Sequence, residues 1–256
     1  SVCYDRKGDY EKTFTYLEKC LDLDNDHLKA NMLLFRACQN TCNWKRLNKL
    51  KTKIENLNTD GLEHPFLNVS RCDDEKYNYA NAVQWHKINY RHNISIQQKK
   101  VLKNNSKKSI GFICGEIRDH PTFYLIKNMF QYLDKEAFDY YFFTYNHDRD
   151  YLSYIDKHIS MVVDIDNKSD NQIESMVLKY NLDILIDLSV HIPHNKMNVI
   201  NRKLARKTIS YLGFPGSSGS DNYDYIIADK IVIPEDKQNF YTEDVLYLPN
   251  IYQIND

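Results

Sequence analysis

Lys207-Thr208-Ile209-Ser210-Tyr211-Leu212 is a short apolar run, and it ends in Gly213-Phe214-Pro215-Gly216-Ser217-Ser218-Gly219. The chain has 256 residues but only seven glycines, well below the average usage of roughly 7%, and three of the seven sit in this loop. An extended segment that stops in closely spaced Gly, Pro and Ser must turn tightly, or let a ligand approach where a side chain would block it. Taken alone, the stretch also reads as an ordinary strand-to-strand loop. Asp221-Asn222-Tyr223-Asp224-Tyr225 leads out of it towards further extended runs around 225–233 and 244–248.

Upstream, the same grammar repeats. Ser109–Gly115 reads as an apolar strand, followed by a helix with Phe123, Leu125, Ile126, Met129, Phe130 and Leu133 on its inner face. Strands are expected at 138–145, 161–165, 182–188 and 208–212, and helices at 151–159, 171–180 and 195–204. Strands alternating with helices of this length predict βαβ units, a parallel sheet and helices on both faces. Ligands of such sheets lie beyond the carboxyl ends of the strands. Here those ends carry Glu116–Pro121, Asp187–His194 and Gly213–Gly219.

The first part of the chain has a different period. Tyr4–Lys12 reads as a helix end, a turn at Gly8 and a new amphipathic helix with Phe14, Leu17, Cys20 and Leu21. A second helix carries Leu28, Met32, Leu33, Phe35 and Ala37, and a turn at Cys42-Asn43-Trp44 opens a third with Leu47, Leu50, Ile54 and Leu57. This resembles the tetratricopeptide repeat, a helix-turn-helix unit of about 34 residues; an unrelated helical cap is the alternative. Such a repeat cannot bury its apolar face alone, so Ser1 is expected to follow a missing upstream segment, unless the helices lean on the next domain. Residues 73–90 are expected to be helical, and the polar, basic 97–108 to be a linker. The divisions are then 1–60 for the tetratricopeptide-like helices, 61–108 for a helical connector and linker, and 109–256 for the α/β domain.

Composition excludes several classes. With 34 basic against 35 acidic residues there is no bulk attraction to nucleic acid or anionic membrane. No apolar run is long enough to span a bilayer, and no signal peptide is expected. Six cysteines without a CxxC pair read as thiols of a reducing compartment, hence a cytoplasmic location. G-x-G-x-x-G after the first strand, the P-loop and the G-x-S-x-G elbow are absent. Asp164-Ile165-Asp166 and Asp22-Leu23-Asp24 give weak support for a metal, and none is expected.

The candidate chemistry lies at the three strand ends. Histidine as a residue type can exchange a proton with a reacting hydroxyl near neutral pH, which singles out His120, His191 and His194. Asp187 ends a buried strand, and the Gly213, Pro215 and Gly216 backbone can approach an anionic or sugar ligand. Each has a plainer reading: His120 before Pro121 can cap a helix, and His191 and His194 can be loop residues.

Taken in order, Ile110–Pro121 (IGFICGEIRDHP), Asp187-Leu188-Ser189-Val190-His191, Tyr211–Gly219 (YLGFPGSSG) and Asp224–Asp229 (DYIIAD) resemble the O-linked N-acetylglucosamine transferase family. Cys42-Asn43-Trp44 is similar to that family's Cys-Asp-Trp, and tetratricopeptide repeats precede its catalytic region. The resemblance implies a two-domain, inverting, metal-independent GT-B glycosyltransferase that uses a UDP-sugar. This chain would supply its N-terminal Rossmann-like half. It further implies catalytic roles for His120 and His191 and substrate contacts from Asp187, Gly213, Pro215 and Gly216. Its partners would be a polypeptide or glycan acceptor and neighbouring domains, with self-association through the helices left open.

Three departures stand out: Val190 where many relatives have Gly, Ile192 where they have Thr, and Glu116 where they have Asp. A β-branched Val enters glycine's conformations with difficulty, so the loop before His191 is expected to be reshaped. The chain also ends at Asp256, where the family's first Rossmann half ends. It is expected to bind no donor and to be inactive without the second half, which carries the residues for the diphosphate. The alternative is a scaffold or interaction domain derived from such a transferase within a larger glycan-processing protein.

Overall fold

The structure, a computed structural model, describes residues 2–5, 7–58, 63–90 and 107–254. Most of the expected linker at 97–108 lies outside the described residues. The chain divides into two units, Ser1–Trp85 and His86–Asp256.

The first unit is helical. Helices α1 (Val2–Asp5), α2 (Tyr10–Leu23), α3 (Leu28–Asn40) and α4 (Trp44–Leu57) follow one another, with Gly8 at φ +72° in the first turn and Cys42 at φ +54° in the third. Leu17, Ala30, Leu34, Cys38, Leu47, Leu50 and Ile54 bury one stripe of α2, α3 and α4 in a common core. A short helix α5 (Pro65–Val69), with Pro65 at its first position, was not anticipated. It precedes α6 (Glu75–Asn89), within which the division between the units falls. Beneath this end of the unit Arg71 is buried, pairing with Glu63 and Glu55 and bonding the Asn68 side-chain oxygen.

The second unit is a seven-stranded, wholly parallel sheet. Its strands β1 (Lys108–Cys114), β2 (Phe138–Thr144), β3 (Met161–Asp164), β4 (Leu182–Asp187), β5 (Ala205–Ser210), β6 (Tyr225–Ala228) and β7 (Asp244–Tyr247) lie in the order β3-β2-β1-β4-β5-β6-β7. The order reverses direction between β1 and β4, so chain connections leave to opposite sides there and open a crevice at the carboxyl ends. Alternate residues of β1 face opposite layers. Phe112 and Cys114 join Phe123, Ile126, Phe130 and Ile155 in one core, while a side chain at Gly111 would collide with Leu182, Phe143 and Leu185 on the other face.

Helices α7 (Pro121–Ile126), α8 (Arg149–Asp156), α9 (Asp170–Leu178) and α10 (Met197–Ile200) connect the strands. Two are shorter than the apolar spacing predicted. The helix expected through Leu133 stops at Ile126 and resumes as a single 3-10 turn at Met129–Tyr132, which still buries Phe130. The helix expected over 195–204 is one turn, because Lys203 takes φ +54° and Asn201 turns its side chain inward. No helix among the described residues is long and apolar enough to cross a membrane.

Candidate active site

Because β1, β4 and β5 are adjacent and parallel, the loops that follow them emerge at one rim of the sheet. Hydrogen bonds continue the ladder past the strand ends: the Leu188 N–H donates to the Ile113 carbonyl at 3.1 Å, and the Tyr211 N–H to the Asp187 carbonyl at 3.0 Å. Gly213 lies so close to the β4 loop that a Cβ there would stand 2.1 Å from the Leu188 carbonyl oxygen. Only glycine admits that approach.

Asp187 closes β4 and is buried. Its carboxylate accepts from the Ser189 and Val190 N–H groups at 2.9 and 3.1 Å and from the Tyr223 hydroxyl. Burial pushes its pKa up to about 6, with those three donors pulling the other way. The carboxylate thereby holds the turn in which Val190 adopts φ +48°. Val190 enters that conformation, strained for a β-branched residue, with its side chain buried and two amides bound to Asp187.

His191 is fully buried. Its Nε2 is 3.0 Å from the Ser218 carbonyl and its ring stands edge-on to Phe214, 4.9 Å between centroids. A carbonyl only accepts, so Nε2 carries the proton and ties the β4 loop to the β5 loop. The second half of the Gly213–Gly219 loop rests on Glu243, a buried carboxylate. It accepts from the Ser218 N–H at 2.7 Å, the Ser217 hydroxyl at 2.8 Å and the Thr242 hydroxyl at 3.0 Å. Ser220 continues the mesh through Asn201 to the His86 ring. Pro215 is exposed and Gly216 half-buried, leaving this part of the loop open to a ligand; His194 is exposed at φ +67°.

His120 caps α7. Its Nδ1 accepts the Thr122 N–H at 3.2 Å, which leaves Nε2 as the protonated nitrogen of the neutral ring. Its side chain is partly exposed, with Nε2 3.8 Å from the Glu116 carboxylate; Arg118 donates to the same carboxylate at 2.6 Å. Burial pushes the Cys114 thiol up to about 12 and raises the Tyr145 phenol, leaving both neutral. Beside Gly115, the Tyr145 ring supports the Lys196 ammonium, 4.6 Å from its centroid.

The structure thus places His120, Asp187, His191 and Gly213 along one rim, and assigns Asp187 and His191 to holding its loops. Sequence reading passed over Tyr223 and Glu243, the buried partners of those loops. Tyr223 follows the glycine loop in an acidic-aromatic run, a faint signal; Glu243 lies beyond β6, and nothing local marks it. Asp164 and Asp166, flagged for a metal, have structural partners: Asp164 caps its turn by accepting the Asp166 N–H, and Asp166 accepts the Asn146 N–H from the loop after β2.

Residues 76–256 match the family Glyco_transf_41, glycosyl transferase family 41. The chain is 25% identical over 149 residues to an Arabidopsis thaliana protein named probable UDP-N-acetylglucosamine–peptide N-acetylglucosaminyltransferase SEC, covering 57% of this chain and 15% of the relative. It is 23% identical over 158 residues to the UDP-N-acetylglucosamine–peptide N-acetylglucosaminyltransferase of Caenorhabditis elegans, covering 60% of this chain and 14% of that protein. A solved Thermobaculum terrenum O-GlcNAc transferase mutant shares its fold at a TM-score of 0.77 and 20% identity, over 98% of this chain and 50% of that one. The chain therefore spans about half of that solved chain and about one seventh of the two curated relatives. With the family's match running from α6 through the whole parallel sheet and its rim, the chain belongs to glycosyl transferase family 41.

Proposed function

We propose that the α/β unit is the acceptor-side part of an inverting, metal-independent glycosyltransferase. It moves a hexosyl or N-acetylhexosaminyl group from a nucleotide sugar to a hydroxyl of a polypeptide, in a reducing, cytoplasmic setting. A further domain of a longer chain holds the donor and its diphosphate, since half a cleft offers no stabilisation to that leaving group. The observation that carries this reading is the single rim on which His120 and the Gly213–Gly219 loop stand, in a chain whose relatives are named as peptide N-acetylglucosaminyltransferases.

The two histidines divide the work. His120 is half-open to solvent with Nε2–H available, so it orients an acceptor or donor oxygen by donating a hydrogen bond. His191, buried with Nε2–H spent on Ser218, positions the glycine loop. The test is transfer from radiolabelled UDP-N-acetylglucosamine to a serine-containing peptide by the full-length protein. His120→Ala is expected to lower turnover by about 10²-fold, the usual cost of removing one oriented donor, with the fold intact by circular dichroism. Unchanged turnover removes His120 from the reaction.

A second reading, a scaffold derived from a transferase, is favoured by the burial of His191 and the engagement of Glu116 with Arg118. A full-length protein that transfers no sugar from any nucleotide donor, yet retains a polypeptide partner, selects it.

A further inference from the structure

Helices α7 and α8 both begin at the carboxyl rim. His120 caps the first and Asp148 the second, and the Asp148 N–H donates to the Ile117 carbonyl at 2.8 Å, fastening the start of α8 to the loop after β1. Between them lies a groove of about 630 Å³. Its floor is aromatic. Buried Phe123 is the hub, edge-on to Tyr124, Tyr151 and Tyr154 with centroids 5.6, 5.0 and 5.8 Å away. Tyr124 and Tyr154 are exposed, although a free aromatic surface carries a solubility cost. The Tyr124 hydroxyl donates to Asp119 at 3.0 Å, so the aromatic floor is tied to the residue next to His120.

Lys127 and Arg149 line the groove, and Lys157 stands beside it. The Lys127 ammonium lies 5.7 Å from the Tyr124 ring and the Lys157 ammonium 5.9 Å from Tyr154. Arg149 occupies the first turn of α8, where the helix dipole disfavours positive charge. Among the described residues neither Arg149 nor Lys157 makes an ion pair. Carboxylates stand here too: Asp150 lines the groove, Asp119 accepts from the Tyr124 hydroxyl and Asp148 from the Asp150 N–H, so the excess of positive charge is local to Lys127, Arg149 and Lys157.

We propose that this groove holds an acidic segment of the polypeptide acceptor, next to the residue that receives the sugar. The proposal rests on the acceptor-side reading above and names the chemistry of its substrate. From His120 to Lys127 the helix rises by roughly 10 Å, the span of about three extended residues. Acidic side chains are therefore favoured about three to five residues from the acceptor hydroxyl. Single-stranded nucleic acid, the other anion with a use for aromatic rings, fits less well. It stacks bases on open ring faces, and here the chain's own lysines cover a face of Tyr124 and of Tyr154.

The test uses the full-length protein and fluorescein-labelled ten-residue peptides, followed by fluorescence polarisation. Each has one serine, with glutamates, glutamines or lysines at those positions, and ten-nucleotide poly-uridine is run alongside. The glutamate peptide is expected to bind about tenfold more tightly than the glutamine peptide, with a preference that shrinks as salt rises. The double variant Arg149→Glu, Lys157→Glu is expected to abolish that preference. The groove proposal falls if the glutamate peptide does not bind, binds no better than the glutamine peptide, keeps its preference in the double variant, or is outcompeted by poly-uridine. Running sugar transfer on the same peptides separates the two readings. Transfer without a glutamate preference sinks the groove alone, whereas a glutamate preference without transfer sinks the transferase reading and, with it, the groove's assignment to an acceptor.

Discussion

Gly213 shows how much one missing methyl group can matter. A Cβ at this position meets backbone, the Leu188 carbonyl, and backbone cannot swing aside as a side chain can. Gly213→Ala is expected to cost about 3 kcal/mol or more, read as a fall in the urea midpoint with an unchanged slope. Asp187 gives a prediction with a sign. Its folded-state pKa of about 6 lies above its ordinary 3.8, so the folded protein holds this proton more tightly than the unfolded chain does. The site's contribution to stability therefore falls as pH rises from about 4 to about 6 and is level on either side of that window. Compared with Asp187→Asn, in which the group cannot titrate, the native protein should gain up to about 1.4 kcal/mol per pH unit as pH is lowered through the window. A stability difference independent of pH between 4 and 6 contradicts the assignment. At this scale the sequence pointed to His120, Asp187 and Gly213 because their residue types announce chemistry or a tight approach. It was silent on Glu243 and underweighted Tyr223, whose importance lies in partners 25 and 36 residues away.

Among the elements, the Gly213–Gly219 loop depends on a residue outside its own sequence. Its second half hangs on Glu243, which gathers one amide and two hydroxyls in a buried site. Glu243→Ala strands those donors and is expected to cost about 3 kcal/mol, and to open the loop to proteolysis before the sheet unfolds. Glu243→Gln, which keeps one acceptor and lets the hydroxyls accept in turn, should cost about 1 kcal/mol. Equal protease resistance in all three proteins would show that the loop stands without this support. Strand positions were legible because parallel strands buried on both faces are near-continuous apolar runs, as at Ile110–Cys114 and Ile184–Ile186. Helix lengths were not. Apolar spacing persists through the 3-10 turn at Met129–Tyr132 and past the end of α10, because burial of Phe130 and Leu204 constrains the spacing but not the hydrogen-bond pattern. The left-handed residues Lys203 and Leu212 gave no warning either, for neither is of a type that favours that conformation.

At the scale of the whole molecule, two units with separate cores predict separable stabilities. Arg71→Met leaves Glu63 buried without its cation, at an expected cost of about 3–5 kcal/mol. Hydrogen exchange should accelerate in α3, α4 and α5 and stay unchanged in β1, β4 and β5; acceleration across the sheet would mean that the units melt together. The order of the sheet has its own consequence for biosynthesis. Strand β1 pairs on one side with β2, some 30 residues later, and on the other with β4, about 74 residues later, since Ile110 stands against Tyr140 and Ile184. A chain leaving the ribosome can zip β1 to β2 early, but the opposite flank of β1 stays bare until residue 187 is clear of the exit tunnel. Until then the nascent molecule displays an unsatisfied apolar ribbon, the surface that a ribosome-bound chaperone grips.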